Sequence, residues 1–147
     1  MCTSAGVQRE LLQSGQCSQH LLQVVVHLEG TLTRVGGLQW VQVDLEAEHE
    51  ISACCIWHDQ GDDRVYHDVI CQISNDKDFK TGVTTVFNND HNESAKLGKG
   101  KDKEYRERHD GRPFPVNMVK GRYVRFYSNG SSSEPGNNYM EVEVFGK

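Results

Sequence analysis

From residue 38 onward, apolar and polar positions alternate in short runs separated by polar, glycine-bearing stretches. A period of two is the signature of half-buried strands. Residues 38–45 (LQWVQVDL) put Gln42 and Asp44 on the side of Trp40, opposite Val41. Residues 51–57 (ISACCIW) are more continuously apolar, as an inner strand requires. In 65–74 (VYHDVICQIS), Val65, His67, Val69, Cys71 and Ile73 share a face. Residues 83–87 (VTTVF) are β-branched. In 121–128 (GRYVRFYS), Tyr123, Arg125 and Tyr127 oppose Val124 and Phe126, and in 139–145 (YMEVEVF) Met140, Val142 and Val144 oppose Glu141 and Glu143. No stretch has a 3.6-residue period, so these six runs predict an all-β sandwich or barrel. Ahead of them, 21–28 (LLQVVVHL) reads as a strand, 30–37 as a turn, and 9–14 as a single helical turn.

Antiparallel strands of alternating direction sort the loops between two rims. If 51–57 runs up, 65–74 runs down and 83–87 up. A strand around 104–108 would then run down and 121–128 up. One rim collects 57–64 (WHDQGDDR), 88–98 and 129–138, all rich in His, Asn, Asp, Arg and Ser. The other collects 46–50, 75–81 and 110–120. Binding residues concentrate on loops held by a rigid scaffold, so the first rim is the expected site.

With 147 residues the expectation is one domain spanning 1–147, with 1–36 as an atypical leading segment. A hydrophobic share of 36% with 25% charged residues fits a folded globular chain rather than a disordered one. Net charge −5 disfavours nucleic acid as a partner. The mean hydropathy of −0.64 comes with no window approaching a membrane span. Residues 1–20 lack the apolar stretch of a secretory signal. The charges of 98–112 (GKGKDKEYRERHDGR) alternate in sign, which reads as a solvated loop or edge strand. The five cysteines, Cys2, Cys17, Cys54, Cys55 and Cys71, include no CxxC pair and no zinc spacing. Adjacent Cys54 and Cys55 point to opposite faces of a strand, one buried and the other half exposed.

An ordered set of motifs resembles a known family. GLQWVQVDLEAEHEISACCIWH (37–58) is similar to the opening strands of galactose-binding-like domains, the discoidin or coagulation-factor type-C superfamily. VICQISNDKDF (69–79) resembles that family's next strand and turn, and GRYVRFYSNG with YMEVEVFG its closing strands. The resemblance covers 37–147 and implies a jelly-roll β-sandwich, most often a non-catalytic sugar-binding module of secreted enzymes. It also suggests an extracellular location. Such domains commonly hold a structural calcium through an Asp-Gly-Asn-type loop, which residues 1–37 do not show. Glu141 matches the position of the family's C-terminal calcium-ligating Glu, and reads equally as a surface strand residue. Calcium takes about six to eight oxygens, so one carboxylate settles nothing.

Sugar recognition asks for planar hydrogen-bonding groups and an aromatic platform. On the expected rim His58 and Arg64 are candidates, with the resemblance adding weight. Each reads equally as a solvated charge, Arg64 pairing with Asp62 or Asp63. In 88–94 (NNDHNES), Asn88 and Asn89 read as turn chemistry and His91 and Asn92 as ligand contacts. Tyr139, where the last loop meets the final strand, is the best-placed aromatic for stacking. Trp57 reads first as a core residue and second as a platform. Trp40 reads as core and His67 as a structural strand histidine. No GxSxG elbow, phosphate loop or HExxH helix is present, so an enzyme, such as a small glycoside hydrolase, is the least supported class. The expectation is a module that binds carbohydrate without cleaving it, with galactose-type sugars suggested by the resemblance alone. A parent enzyme or cell-surface protein is the expected partner. The alternative is a discoidin-type protein- or cell-surface-adhesion module.

Overall fold

The computed structural model describes residues 21–28, 32–33 and 36–147. Among the described residues seven strands form: β1 (Leu22–His27), β2 (Leu32–Thr33), β3 (Gln39–His58), β4 (Ile70–Ser74), β5 (Thr84–Asn88), β6 (Arg112–Ser128) and β7 (Asn137–Gly146). A 3-10 turn spans Gly61–Asp63. All pairings are antiparallel, along the path β1-β7-β3-β6-β4-β5, with β2 beside β7.

Two strands are long enough to serve both layers. β3 runs twenty residues, and its expected turn at 46–50 is a bulged bend rather than a loop, with register shifts between Asp44 and His49 and again between Ile51 and Ala53. Glu46 takes a left-handed φ of 68° there, and its N–H donates to Asp44 Oδ1 at 2.7 Å. β6 bends opposite it, where Met118 has a φ of 50°. Gly121 lies beyond that bend because a Cβ there would sit 2.2 Å from Ile73 Cγ2. The first half of β3 pairs with the second half of β6, which also carries β4 and β5. The second half of β3 pairs with the first half of β6 and with β7, beyond which lies β1. The path thus folds over on itself into a β-sandwich. Tyr139, opposite His58 in one layer, donates its hydroxyl to Gln39 O in the other at 3.0 Å, which brings both ends of β3 to one rim.

Side chains from both layers interdigitate in one buried cluster. Val41, Val43, Cys71, Ile73, Val124 and Phe126 come from one, and Cys54, Ile56, Phe114, Val142 and Val144 from the other. Phe87 stacks on Phe114 with ring centroids 4.3 Å apart. The jelly-roll expectation therefore holds as an all-β sandwich, with β1 close to its expected bounds.

Several local expectations are corrected. Residues 110–120 are not a loop of the far rim, because β6 begins at Arg112. This stretch of β6 includes Pro113 and Pro115. They sit on a stretch of β6 paired on one side only, where a missing N–H removes no ladder bond. Residues 104–108 form no strand. The expected strand 65–74 is regular only from Ile70, because Asp68 adopts a φ of 51°. Cys55 is buried along with Cys54. Burial pushes the Cys55 thiol up to about 12, helped by the nearby Glu143 carboxylate. Trp40 is not central core: it is half-buried on the outer face, with the Arg125 guanidinium 3.9 Å from its ring centroid. Cys2, Cys17, His20 and the helical turn at 9–14 lie outside the described residues.

Candidate functional site

β4, β5 and β6 reach the rim together, for Ile70 pairs with both Asn88 and Tyr127. The chain leaves or enters these strands through 65–69, 89–111 and 129–136. These segments enclose an open cavity of about 350 Å³ lined by His67, Asp68, Asn89 and His91, together with Asn92, Ser94, Glu104 and Asn129.

The walls are braced from beneath by short polar side chains. Asp90 is fully buried, and its carboxylate accepts from the backbone N–H of Ala95 at 2.8 Å and of Ser94 at 3.1 Å. Asn88 accepts from the N–H of Asp90 (2.8 Å) and donates to Gly98 O (3.0 Å), while its own N–H donates to Asp102 Oδ2 (2.7 Å). A Cβ on Gly100 would lie 2.4 Å from Asn88 O, so the loop closes only over glycine. The turn reading of Asn88 is what the structure shows.

The lining groups tie the loops to each other. Asn89 exchanges backbone and side-chain bonds with Val69, accepting its N–H on Oδ1 at 2.7 Å. Asp68 Oδ2 accepts from Ser94 Oγ at 2.5 Å and Asn129 Nδ2 at 2.7 Å, linking all three segments. His91 Nε2 lies 2.7 Å from Asp102 O. That contact requires Nε2–H to donate, which leaves Nδ1 of a neutral ring as an acceptor. His67 is exposed, with its backbone N–H donating to Gly130 O. Asn89 is buried, and its Nδ2 has no hydrogen-bond partner. A buried amide without a partner costs about 1–3 kcal/mol, a deficit that a ligand or water oxygen would relieve.

The residues expected to form the site separate into two groups. His91 and Asn92 line the cavity. The others do not. His58 is buried, stacked on Tyr66 with centroids 4.1 Å apart and 2.9 Å through Nδ1 from Glu107 Oε1. Tyr139 is also buried. Its hydroxyl accepts from Ser128 Oγ at 2.8 Å, and burial pushes its ionisation above the ordinary phenol range, so it offers no stacking face. Trp57 is half-buried, lies so close to Gly111 that a Cβ there would sit 2.3 Å from its Cε2, and donates Nε1–H to His109 O at 3.2 Å. Arg64 is 2.6 Å from Glu134 Oε1 and 3.5 Å from Asp59 Oδ2, and it donates Nε–H to Gly61 O at 2.8 Å. His67 belongs to the cavity instead of a strand core.

The sequence signal for the other lining residues was partial. Asn89, Ser94 and Asn129 fall in loops the strand parity sent to this rim. Asp68 was hidden inside a strand-like run, and Glu104 inside an alternating charge run.

Among the described residues no group of three or more His, Cys, Asp or Glu is placed to hold a metal ion. Glu141 Oε2 is 2.7 Å from His27 Nδ1, and the Glu143 carboxyl lies beside it, its ionisation pushed up by burial and by Glu141. No described helix is long and apolar enough to cross a membrane.

No protein-family model matches the sequence, and no curated protein sequence matches it. Solved structures do match. The CBM32 domain of AlyQ in complex with 4,5-unsaturated mannuronic acid is similar at a TM-score of 0.57 and 16% identity, over 84% of this chain and 76% of that one. A truncated AlyQ with CBM32 and alginate lyase domains is similar at 0.55 and 17% identity, over 85% of this chain and 26% of that one. CpGH89 from Clostridium perfringens, in complex with its substrate GlcNAc-alpha-1,4-galactose, is similar at 0.56 and 21% identity. That match covers 74% of this chain and 10% of the enzyme. The chain therefore has the fold of the galactose-binding-like β-sandwiches, the fold of CBM32 carbohydrate-binding modules.

Proposed function

We propose that the protein binds carbohydrate through this rim cavity and does not cleave it. The observation that carries the reading is the cavity itself, about 350 Å³ and lined only by polar side chains, one of them a buried amide with an unsatisfied Nδ2. Its volume falls within the usual range of ligand sites, roughly 300–1,000 Å³. Carboxylate, amide, imidazole and hydroxyl groups in one place match the donors and acceptors of sugar hydroxyls. The fold's structural neighbours lend weight, one being held with a sugar acid.

Contact groups in this reading are His91 and Asn92 from the loop after β5, with His67, Asn89 and Glu104 beside them. Asp68 acts as the brace that holds the three segments in place. Galactose-type sugars remain the first guess. Because no Trp, Tyr or Phe is among the described residues lining the cavity, recognition rests on hydrogen bonds, and affinity for one monosaccharide is weak, since many hydroxyls must be desolvated. Hydrolysis of a glycosidic bond ordinarily uses two carboxylates flanking it. Here Asp68 is committed to Ser94 and Asn129, which supports binding over cleavage.

The test is a glycan panel followed by calorimetry of the leading sugar. His91→Ala and Asn92→Ala should each weaken binding about tenfold with the melting temperature unchanged. Binding to no sugar at millimolar concentration by the folded protein, or turnover of a chromogenic glycoside, contradicts the reading.

A further inference from the structure

The charges around the cavity are unevenly divided. Asp68 and Glu104 contribute two carboxylates, and neither a lysine nor an arginine lines it. Of the arginines on the rim segments, Arg64 has its guanidinium turned to Glu134 and the Gly61 carbonyl, Arg106 faces Asp63, and neither these nor Arg108 is among the lining residues. Asn129 gives one of its two amide N–H groups to Asp68 and, being neutral, brings no positive charge to the anionic side. We infer that the cavity selects neutral sugars and rejects uronic acids and other anionic saccharides, a deepening that rests on the carbohydrate reading.

The physical reason is an asymmetry between hydroxyls and carboxylates as guests. A sugar hydroxyl donates to a protein carboxylate in a charge-assisted bond, about twice as strong as a neutral one. A sugar carboxylate is instead best received by a guanidinium in a bidentate fork, and none is offered. Placed beside Asp68 and Glu104 it would lose hydration and meet like charge. The unsatisfied Asn89 Nδ2 is a donor that a neutral hydroxyl or ring oxygen satisfies without bringing charge. This expectation differs from the AlyQ domain of the same fold, which is held with an unsaturated mannuronic acid.

Matched pairs test it directly. Calorimetry or saturation-transfer NMR of the full chain at pH 8 would compare the methyl glycosides of galactose, glucose and mannose with the corresponding methyl uronides. Within each pair only the C6 group changes, from hydroxymethyl to carboxylate. In any pair that binds, the neutral member should bind at least about tenfold tighter. The gap should shrink as salt rises from about 0.05 to 0.5 M, because the repulsion is screened. Glu104→Lys should narrow it several-fold or reverse it. Equal or tighter binding of the uronides, or a gap that Glu104→Lys leaves unmoved, overturns the selectivity while leaving carbohydrate binding intact. If no member of any pair binds to protein that is folded by circular dichroism, the carbohydrate reading falls and this inference with it.

Discussion

At the scale of single residues, side chains that sequence marks as chemistry are spent on architecture. His58 and Glu107 form a pair whose side chains are fully buried. Removing one partner strands the other without solvent, at a cost of about 1–3 kcal/mol. Glu107→Ala should therefore lower unfolding free energy by that order in urea denaturation, and replacing both by apolar residues should cost less than the single change. Gly111 shows the opposite economy. At a φ of +74° it faces the Trp57 ring, and a Cβ would lie 2.3 Å from Cε2. Gly111→Ala should destabilise by about 2 kcal/mol or more, since both backbone and ring must shift. Thermal melts read it. Neither fact was legible in the sequence. Glu107 lies 49 residues from His58, and only the folded sandwich brings the two together.

At the scale of elements, alternation located β1, β4, β5 and β7 and both halves of β3, because a period of two survives whatever the tertiary context. It could not show that the halves of β3 are one strand. That depends on Asp44, which caps the Glu46 N–H and takes Arg122 in a bidentate pair at 2.7 and 2.9 Å. The Arg122 bond holds the Asp44 carboxyl below its ordinary value. A carboxyl lowered in the folded state stabilises above its unfolded value, about 3.9, and that contribution disappears as pH falls through the lowered value. Asp44→Asn should thus lose less stability than the parent between pH 5 and 2. The difference at neutral pH is small, under about 1 kcal/mol for a half-exposed pair. Strand placement also governs the thiols. Cys54, Cys55 and Cys71 are free and buried, and Cys71 is pushed well above the ordinary thiol range by burial, with the Cys54 thiol beside it. Reactivity follows thiolate and exposure, so these three should resist alkylation in the native protein and label only on unfolding, as peptide mapping would show.

At the scale of the whole molecule, the fold turns scattered loops into one site. Strand parity along the sequence was enough to send 88–98 and 129–138 to a common rim, and the structure places both there. Which side chains turn outward was beyond it. Tyr139 lies in a strand whose first three residues, Asn137 to Tyr139, are all buried. An aromatic at a strand's start therefore looks like a platform in sequence and is core in space. Asp68 holds the three segments together through Ser94 and Asn129. Asp68→Ala should release them, weakening sugar binding more than His91→Ala does and speeding amide exchange in 89–95 without unfolding the sandwich. The most direct test of the rim cavity as a carbohydrate site is a two-dimensional amide NMR titration with methyl galactoside. The account predicts shifts confined to 67–68, 89–94, 104 and 129, saturating at millimolar sugar. Shifts centred elsewhere on the sandwich, or none while the spectrum is that of a folded protein, would contradict it.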